Sequence, residues 1–399
     1  MELVHRSNAI IRRAPLVLLA AALLAFSIAQ SSAQRSESIE QAGGHRFAIT
    51  TLASALRRPW SIAFLPDGRL LVTERPGRLR IVRDGILLPD QVPGVPAVHA
   101  EGQGGLFDVL PHPDFASNRL LYLAYADPNE GASTTRVVRA RFENDRLGEL
   151  EEIFKAVAQG RNGHYGGKLA FDRDGYLFIT TGDRQAPPTG DLKTHPAQDL
   201  SNHHGVTIRL HDDGRVPADN PFVGRDDALP EIWSYGHRNM QGLVIHPDTN
   251  DVWVTEHGPQ GGDELNRDEP GLNYGWPVVG YGVNYRSGLA IHEGTMREET
   301  EHPDHFWVPS IAASGLMIYT GDRFPEWQGN IFAGGLAGQQ LARLTLSADA
   351  RQVEREETLL QGIGRIRDVR QGPDGYIYVA VEDRDGALTP IVRLEPAER

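Results

Sequence analysis

One phrase, written about six times along the chain, leaves few folds open. It reads "SIAFLPDGRLLVTE" from Ser61, "GLFDVLPHPDFASNRLLYLAYA" from Gly105 and "GKLAFDRDGYLFITTGD" from Gly167. It returns as "GLVIHPDTNDVWVTEHG" from Gly242, "GLMIYTGDRFPEWQGNIFAGGL" from Gly315 and "RDVRQGPDGYIYVAVED" from Arg367. Each copy is a short apolar strand, a turn built on Pro-Asp-Gly or a variant, and a second apolar or aromatic strand. Asp-Gly supplies the turn conformation that other residues resist. Strands that run apolar are buried on both faces. Copies about 40 residues apart or more therefore read as propeller blades in an all-β chain. A sandwich or barrel uses similar hairpins, but it does not repeat one phrase at a regular interval.

The spacing widens between Gly167 and Gly315, so long loops must rise from one end of the disc. They hold "TGDRQAPPTGDLKTHPAQD" and "EHGPQGGDELNRDEPGLNYGWPVVGYGVNYRSG". Loops on a rigid scaffold are where function tends to sit.

The start of the chain reads differently. Arg12 and Arg13 precede the apolar run "APLVLLAAALLAFSIA", and "SSAQ" offers small residues for cleavage after Ala33. Residues 1–33 are expected to be a secretory signal peptide, with an uncleaved anchor as the competing reading. Residues 34–46 are expected as a flexible lead-in, and 47–399 as a single propeller domain. No other transmembrane candidate follows, so the mature protein is expected to be periplasmic or secreted, with no membrane span. The formal charge is −13. Losing Arg6, Arg12, Arg13 and Glu2 with the leader leaves about −15, a poor balance for binding nucleic acid. There is no Cys, which excludes disulfides and thiolate chemistry.

Segments just before the first strand of a blade should lie near one end of the channel, and several carry groups that a turn does not need. Gln103 stands in "AEGQGG", His164 in "GRNGHYGG", and His237, Arg238 and Asn239 in "SYGHRNMQG". Arg365 and Arg367 in "GIGRIRD" are two apart, on one face of an extended strand. Three guanidiniums at one mouth suit a polycarboxylate, which pairs with arginine bidentately; salt bridges to Asp183, Asp263 or Glu382 are the plainer alternative. His164 sits among glycines that let a flat ligand approach, and a histidine is the natural neutral-pH base. Gly258-Pro259 offers backbone carbonyls, and Asp263, Glu264, Asp268 and Glu269 offer carboxylates. Such oxygen donors suit a hard cation, calcium rather than zinc.

The stretches "PWSIAFLPDGRLLVTER", "GHRNMQGL", "EHGPQGGDELN", "NYGWP" and "GRIRDV" resemble the soluble quinoprotein sugar dehydrogenases, the glucose/sorbosone or aldose sugar dehydrogenase family. The resemblance runs from about Arg57 to Leu394. It implies a six-bladed β-propeller with four-stranded antiparallel blades, pyrroloquinoline quinone over one end of the channel, and calcium. It implies His164 as the base, with Asp183 able to orient it. It implies Gln103, Arg238, Asn239, Tyr285, Arg365 and Arg367 as cofactor contacts, Arg238 supporting negative charge on the reduced quinone. Gly258 and Pro259 match carbonyl ligands of one calcium; Glu264 and Tyr274 match ligands of a second. The family's lysine against the quinone is replaced in "AGGLAGQQL" by Ala337, and the position before the base is Gly163. The implied activity is oxidation of an aldose at C1 to the lactone, with electrons leaving to an external acceptor. A calcium-dependent lactone hydrolase and a non-catalytic ligand-binding propeller are the rivals. The hydrolase requires carboxylates converging on one channel ion.

Overall fold

A computed structural model describes residues 37–42, 44–128 and 133–397. The leader expected at 1–33 lies outside the described residues. Six antiparallel sheets follow one another along the chain. Their innermost strands are Pro59–Phe64, Leu106–Pro111, Leu169–Phe171, Met240–Ile245, Ala313–Ile318 and Arg365–Gln371. Each packs against the next, and the last packs against the first, so the sheets close into a six-bladed propeller.

The closure is made by the chain's two ends. The sixth blade contains Arg365–Gln371, Ile377–Glu382 and Leu388–Pro396, and its next strand is His45–Arg57 from the start of the domain. The register runs from Phe47 opposite Pro396 to Arg57 opposite Leu388. This sheet also gains a fifth strand. Glu37–Ala42, within the stretch expected as a flexible lead-in, pairs in register with His45–Thr50. A strand edge left open by the closing strand is a ready template for the segment before it.

The core is divided among the joints. Six buried apolar clusters are found, one between each pair of neighbouring blades. This is why the second strands "LLVTE" and "VWVTE" are buried at every position: each blade covers both neighbours. Five of the six inner strands carry a register shift near their start. Bulges re-aim side chains, and at these places stand Trp60, Phe107, Gln241 and Arg367, all facing one cavity.

Phe47 tests the closure. It is fully buried, with its ring 5.9 Å from that of Trp327 in the fifth blade. Phe47→Ala should cost about 3–5 kcal/mol, read by denaturant unfolding. A loss below about 1 kcal/mol would mean that the closing strand is dispensable.

Candidate active site

The second strands of five blades end, at the same side of the propeller, on or just before an acid: Glu74, Asp127, Asp183, Glu256 and Glu382. The fifth blade ends on Gly335 instead. All five acids are buried, so each must find a partner. Glu74 accepts from the Arg57 amide and pairs with Arg78. Asp127 pairs with Lys155 at 2.7 Å and more loosely with Arg136. The other three hold the residues of the site.

Asp183 holds His164. Its Oδ1 lies 2.5 Å from His164 Nδ1, and its Oδ2 accepts from Trp276 Nε1 at 2.8 Å. Burial pushes the Asp183 carboxyl up, but His164 and its hydrogen bond win and hold it below the usual range. An ionised carboxylate only accepts, so Nδ1 carries the imidazole proton and Nε2 keeps its lone pair. Burial pushes the His164 pKa below its ordinary value, with Asp183 opposing and Arg238 adding to the fall. The imidazole is therefore neutral at pH 7. His164 sits at φ 47°, in the left-handed region, and its amide donates to Gln103 Oε1 at 2.8 Å. Arg184 fastens the same loop through the carbonyls of Ser133 and Arg161, and lies over the Tyr165 ring.

Glu256 holds the next pair. Its Oε1 meets His237 Nδ1 at 2.8 Å, and its Oε2 accepts the Arg238 amide. Burial disfavours charge on His237, yet Glu256 and Asp268 push its pKa up to about 9. Glu382 takes both Arg367 and Arg365, at 3.0 and 3.2 Å.

Beside these groups lies a cavity of about 520 Å³. Gln103, Asn239, Tyr285, Arg365 and Arg367 line it, together with Tyr165 and Gly166, which follow the base. His164 and Arg238 themselves stand just outside its wall. Five guanidiniums face the space, those of Arg58, Arg75, Arg365, Arg367 and Arg384, against the carboxylates of Glu382 and Asp383. The excess positive charge fits a planar tricarboxylate, and the rings of Trp60, Phe107 and Tyr165 give it an apolar wall. His257 adds a buried ring nitrogen with no partner.

A second space of about 20 Å³ adjoins it, lined by Arg238, Gly258, Pro259, Glu264 and Tyr274 among others. It has room for about one small occupant. Burial, then the charge of Glu256, push the Glu264 carboxyl up to about 8. A half-buried acid short of positive charge fits a hard cation. Two expected ligands are otherwise engaged. The Gly258 carbonyl accepts from Arg238 Nη1 at 2.6 Å, so a cation there must share or displace that donor. The Tyr274 hydroxyl donates to the Arg267 carbonyl and accepts from the Glu269 amide. No group of three or more His, Cys, Asp or Glu able to hold a metal is found among the described residues.

Ala337, which the resemblance aligns with the family's lysine, stands in the turn after Gly335. It is exposed, outside the cavity wall, and Leu336 is the neighbour that lines the space. The turn's backbone is fixed by Ala337 N donating to the Ile311 carbonyl. Sequence reasoning missed Trp276, His257 and Arg75. The recurrent terminal acid of the repeat was the available signal, because it marks the end at which these residues gather.

Comparison with known proteins agrees with this architecture. The family model described as Glucose / Sorbosone dehydrogenase matches residues 56–390. Aldose sugar dehydrogenase YliI of Escherichia coli K12 is 40% identical over 351 residues, covering 86% of this chain and 92% of that protein. A crystal structure of a glucose dehydrogenase superposes with a TM-score of 0.82 at 46% identity, covering 88% of this chain and 99% of that one. The aldose sugar dehydrogenase of Streptomyces coelicolor, solved in a form bound to pyrroloquinoline quinone, gives a TM-score of 0.71 at 27% identity, over 91% of this chain and 98% of that one.

Glu264 generates a pH prediction. Its folded pKa, about 8, lies above the ordinary glutamate value of 4.5, so the folded state binds more protons than the unfolded state between those values. Stability from this group therefore falls as pH rises from about 4.5 to 8. Against Glu264→Gln, the wild-type melting temperature should lose ground across that window, and calcium should restore it. Parallel curves for the two proteins would refute the assignment.

Proposed function

The chain belongs to the glucose/sorbosone dehydrogenase family, and from that premise we propose that it oxidises aldose sugars at C1 to the lactone, using pyrroloquinoline quinone and calcium and passing electrons to an external acceptor. Membership makes it an oxidoreductase of the sugar dehydrogenase type. The finer reading rests above all on one observation: a neutral, Asp-held histidine stands beside a cavity with an excess of guanidiniums.

When bound, the quinone supplies the two-electron acceptor and calcium the Lewis acid. Everything else is the work of the chain. Arg365 and Arg367 would hold carboxylates of the quinone, and Asn239, Gln103 and Tyr285, which line the same cavity, would complete its site. Gly258, Pro259, Glu264 and Tyr274 are the residues that would hold calcium. His164 Nε2 takes the proton of the anomeric hydroxyl as the sugar is oxidised. Asp183 keeps the proton on Nδ1 and stabilises the imidazolium that forms. Trp276 closes the second oxygen of Asp183 against water. Arg238, over the Trp276 ring at 5.1 Å, would supply positive charge to support negative charge on the bound quinone.

The hydrolase rival loses support from the channel. Its carboxylates, Asp108 and Asp368, already face Lys168 and Arg370. The basic start and apolar run expected as a leader over residues 1–33 support export to the periplasm or the cell exterior.

Reconstitution tests the proposal. Purified protein given the quinone, calcium, an aldose and a dye acceptor should reduce the dye, and omission of any one should abolish the signal. Turnover without quinone, or none with it, would overturn the reading.

His164→Asn tests the base. Asn tolerates the left-handed backbone at this position, so the fold and quinone uptake should survive while turnover falls ~10²–10⁴-fold. Because the His164 pKa is depressed, the midpoint of the acid fall in wild-type kcat/KM should lie below pH 6.5. Near-normal kcat in the variant would remove His164 from its role.

A further inference from the structure

Among the described residues, Arg75 is the one half-buried arginine of the cavity whose guanidinium has no hydrogen-bond or ion-pair partner; Arg384, also unpaired, is exposed. Arg75 follows the strand Leu70–Glu74, and its backbone is held on both sides. Its amide donates to the Arg58 carbonyl and its carbonyl accepts from the Leu106 amide, both at 3.0 Å. Gly105, at φ 143°, is pressed against it: a Cβ there would stand 2.1 Å from the Arg75 carbonyl oxygen and 2.5 Å from its Cγ. The fold has thus given up a side chain at 105 to let Arg75 stand where it does.

The side chain faces the cavity. Among the described residues it makes no hydrogen bond and no ion pair within 4 Å. The acids that could have met it are engaged. Glu74, its chain neighbour, is turned inward to the Arg57 amide, Arg78 and Arg80. Glu382 is shared by Arg365 and Arg367. Asp383 caps the amides of Asp385 and Ala387. Burial, and after it the charge of Arg367, lower the Arg75 pKa to about 10. A guanidinium left half-buried beside others of like charge is a cost to the empty protein. An incoming anion removes that cost.

We propose that Arg75 is a carboxylate-binding residue of the cavity, completing with Arg365 and Arg367 a set of three guanidiniums that receives the acid groups of the quinone. The inference rests on the quinone reading above. Arg365 and Arg367 are already bonded to Glu382, so each brings only part of its charge to a ligand. Arg75 brings all of its own, and its fork is free for a bidentate contact.

The experiment is a quinone titration by calorimetry in calcium buffer, with no sugar or acceptor present. Wild type, Arg75→Gln and Arg75→Lys are compared, each against the quinone and its trimethyl ester. A charged hydrogen bond is worth about one to two powers of ten in affinity. Arg75→Gln should therefore bind the tri-acid about 10–100-fold more weakly. Its affinity for the ester should be unchanged, because the ester has no carboxylate to lose. Arg75→Lys should fall between the two. The melting temperature of quinone-free Arg75→Gln should equal or exceed that of wild type, since the substitution relieves repulsion. Equal tri-acid binding by wild type and Arg75→Gln would overturn the assignment and leave the quinone reading standing. So would equal weakening for acid and ester, or a lowered melting temperature in both variants, each of which marks a structural role. Failure of the wild type to bind the quinone would overturn the wider reading, and Arg75's role with it.

Discussion

Hydrogen bonds between His45–Arg57 and Leu388–Pro396 turn a row of six sheets into a ring. An open row would leave an apolar blade face bare at each end, and the ring leaves none. Closure also brings together charges that no single blade could hold. Lys168 of the third blade lies 2.9 Å from Asp368 of the sixth and 4.0 Å from Asp108 of the second, and Arg370 reaches both acids. These groups are buried, apart from part of Arg370. Removing one partner of such a set costs about 3–5 kcal/mol, because the remaining charge is stranded. The channel is thus a second lock on the ring, and it works only once the first is shut.

From closure follows the geometry of the site. The second strand of a blade returns to the same end of the ring each time, and in five blades it delivers an acid there. Two of these acids serve the scaffold, through Arg57, Arg78 and Lys155. Three position chemistry: Asp183 sets the tautomer of His164, Glu256 fixes the backbone of Arg238, and Glu382 aligns Arg365 with Arg367. The same repeat unit that builds the wall therefore builds the support for the active groups. Where positive charge exceeds these acids, at the mouth of the large cavity, the protein is prepared for a ligand that carries negative charge.

Much of this was legible in the chain. The hairpin phrase is local: Asp-Gly turns and apolar runs act over a dozen residues, so the blades and their order could be read directly. His164, Asn239, Arg365 and Arg367 stood out because strand starts at a channel mouth do not need such groups. The lead-in is not legible as a strand in the sequence, because Glu37–Ala42 becomes one only when a sheet edge is present to receive it. The resemblance aligns Ala337 with the family's lysine, and the fold leaves that residue exposed and off the cavity lining.

What the chain alone determined is the repeat, and with it the all-β class, the blades and the end at which polar groups collect. What only the tertiary structure decided is which charge meets which. Asp183 is shared by His164 and by Trp276, 93 residues further on, and Arg367 meets Gln241 across a separation of 126. Arg75 sits in "TERPG", which reads as an ordinary turn between an acid and a proline. Its free guanidinium follows from Glu74 turning inward and Glu382 being taken by blade six. Pairing over such distances depends on where the closed ring brings side chains and on which partners are already satisfied, and neither is written in the spacing of residues along the chain.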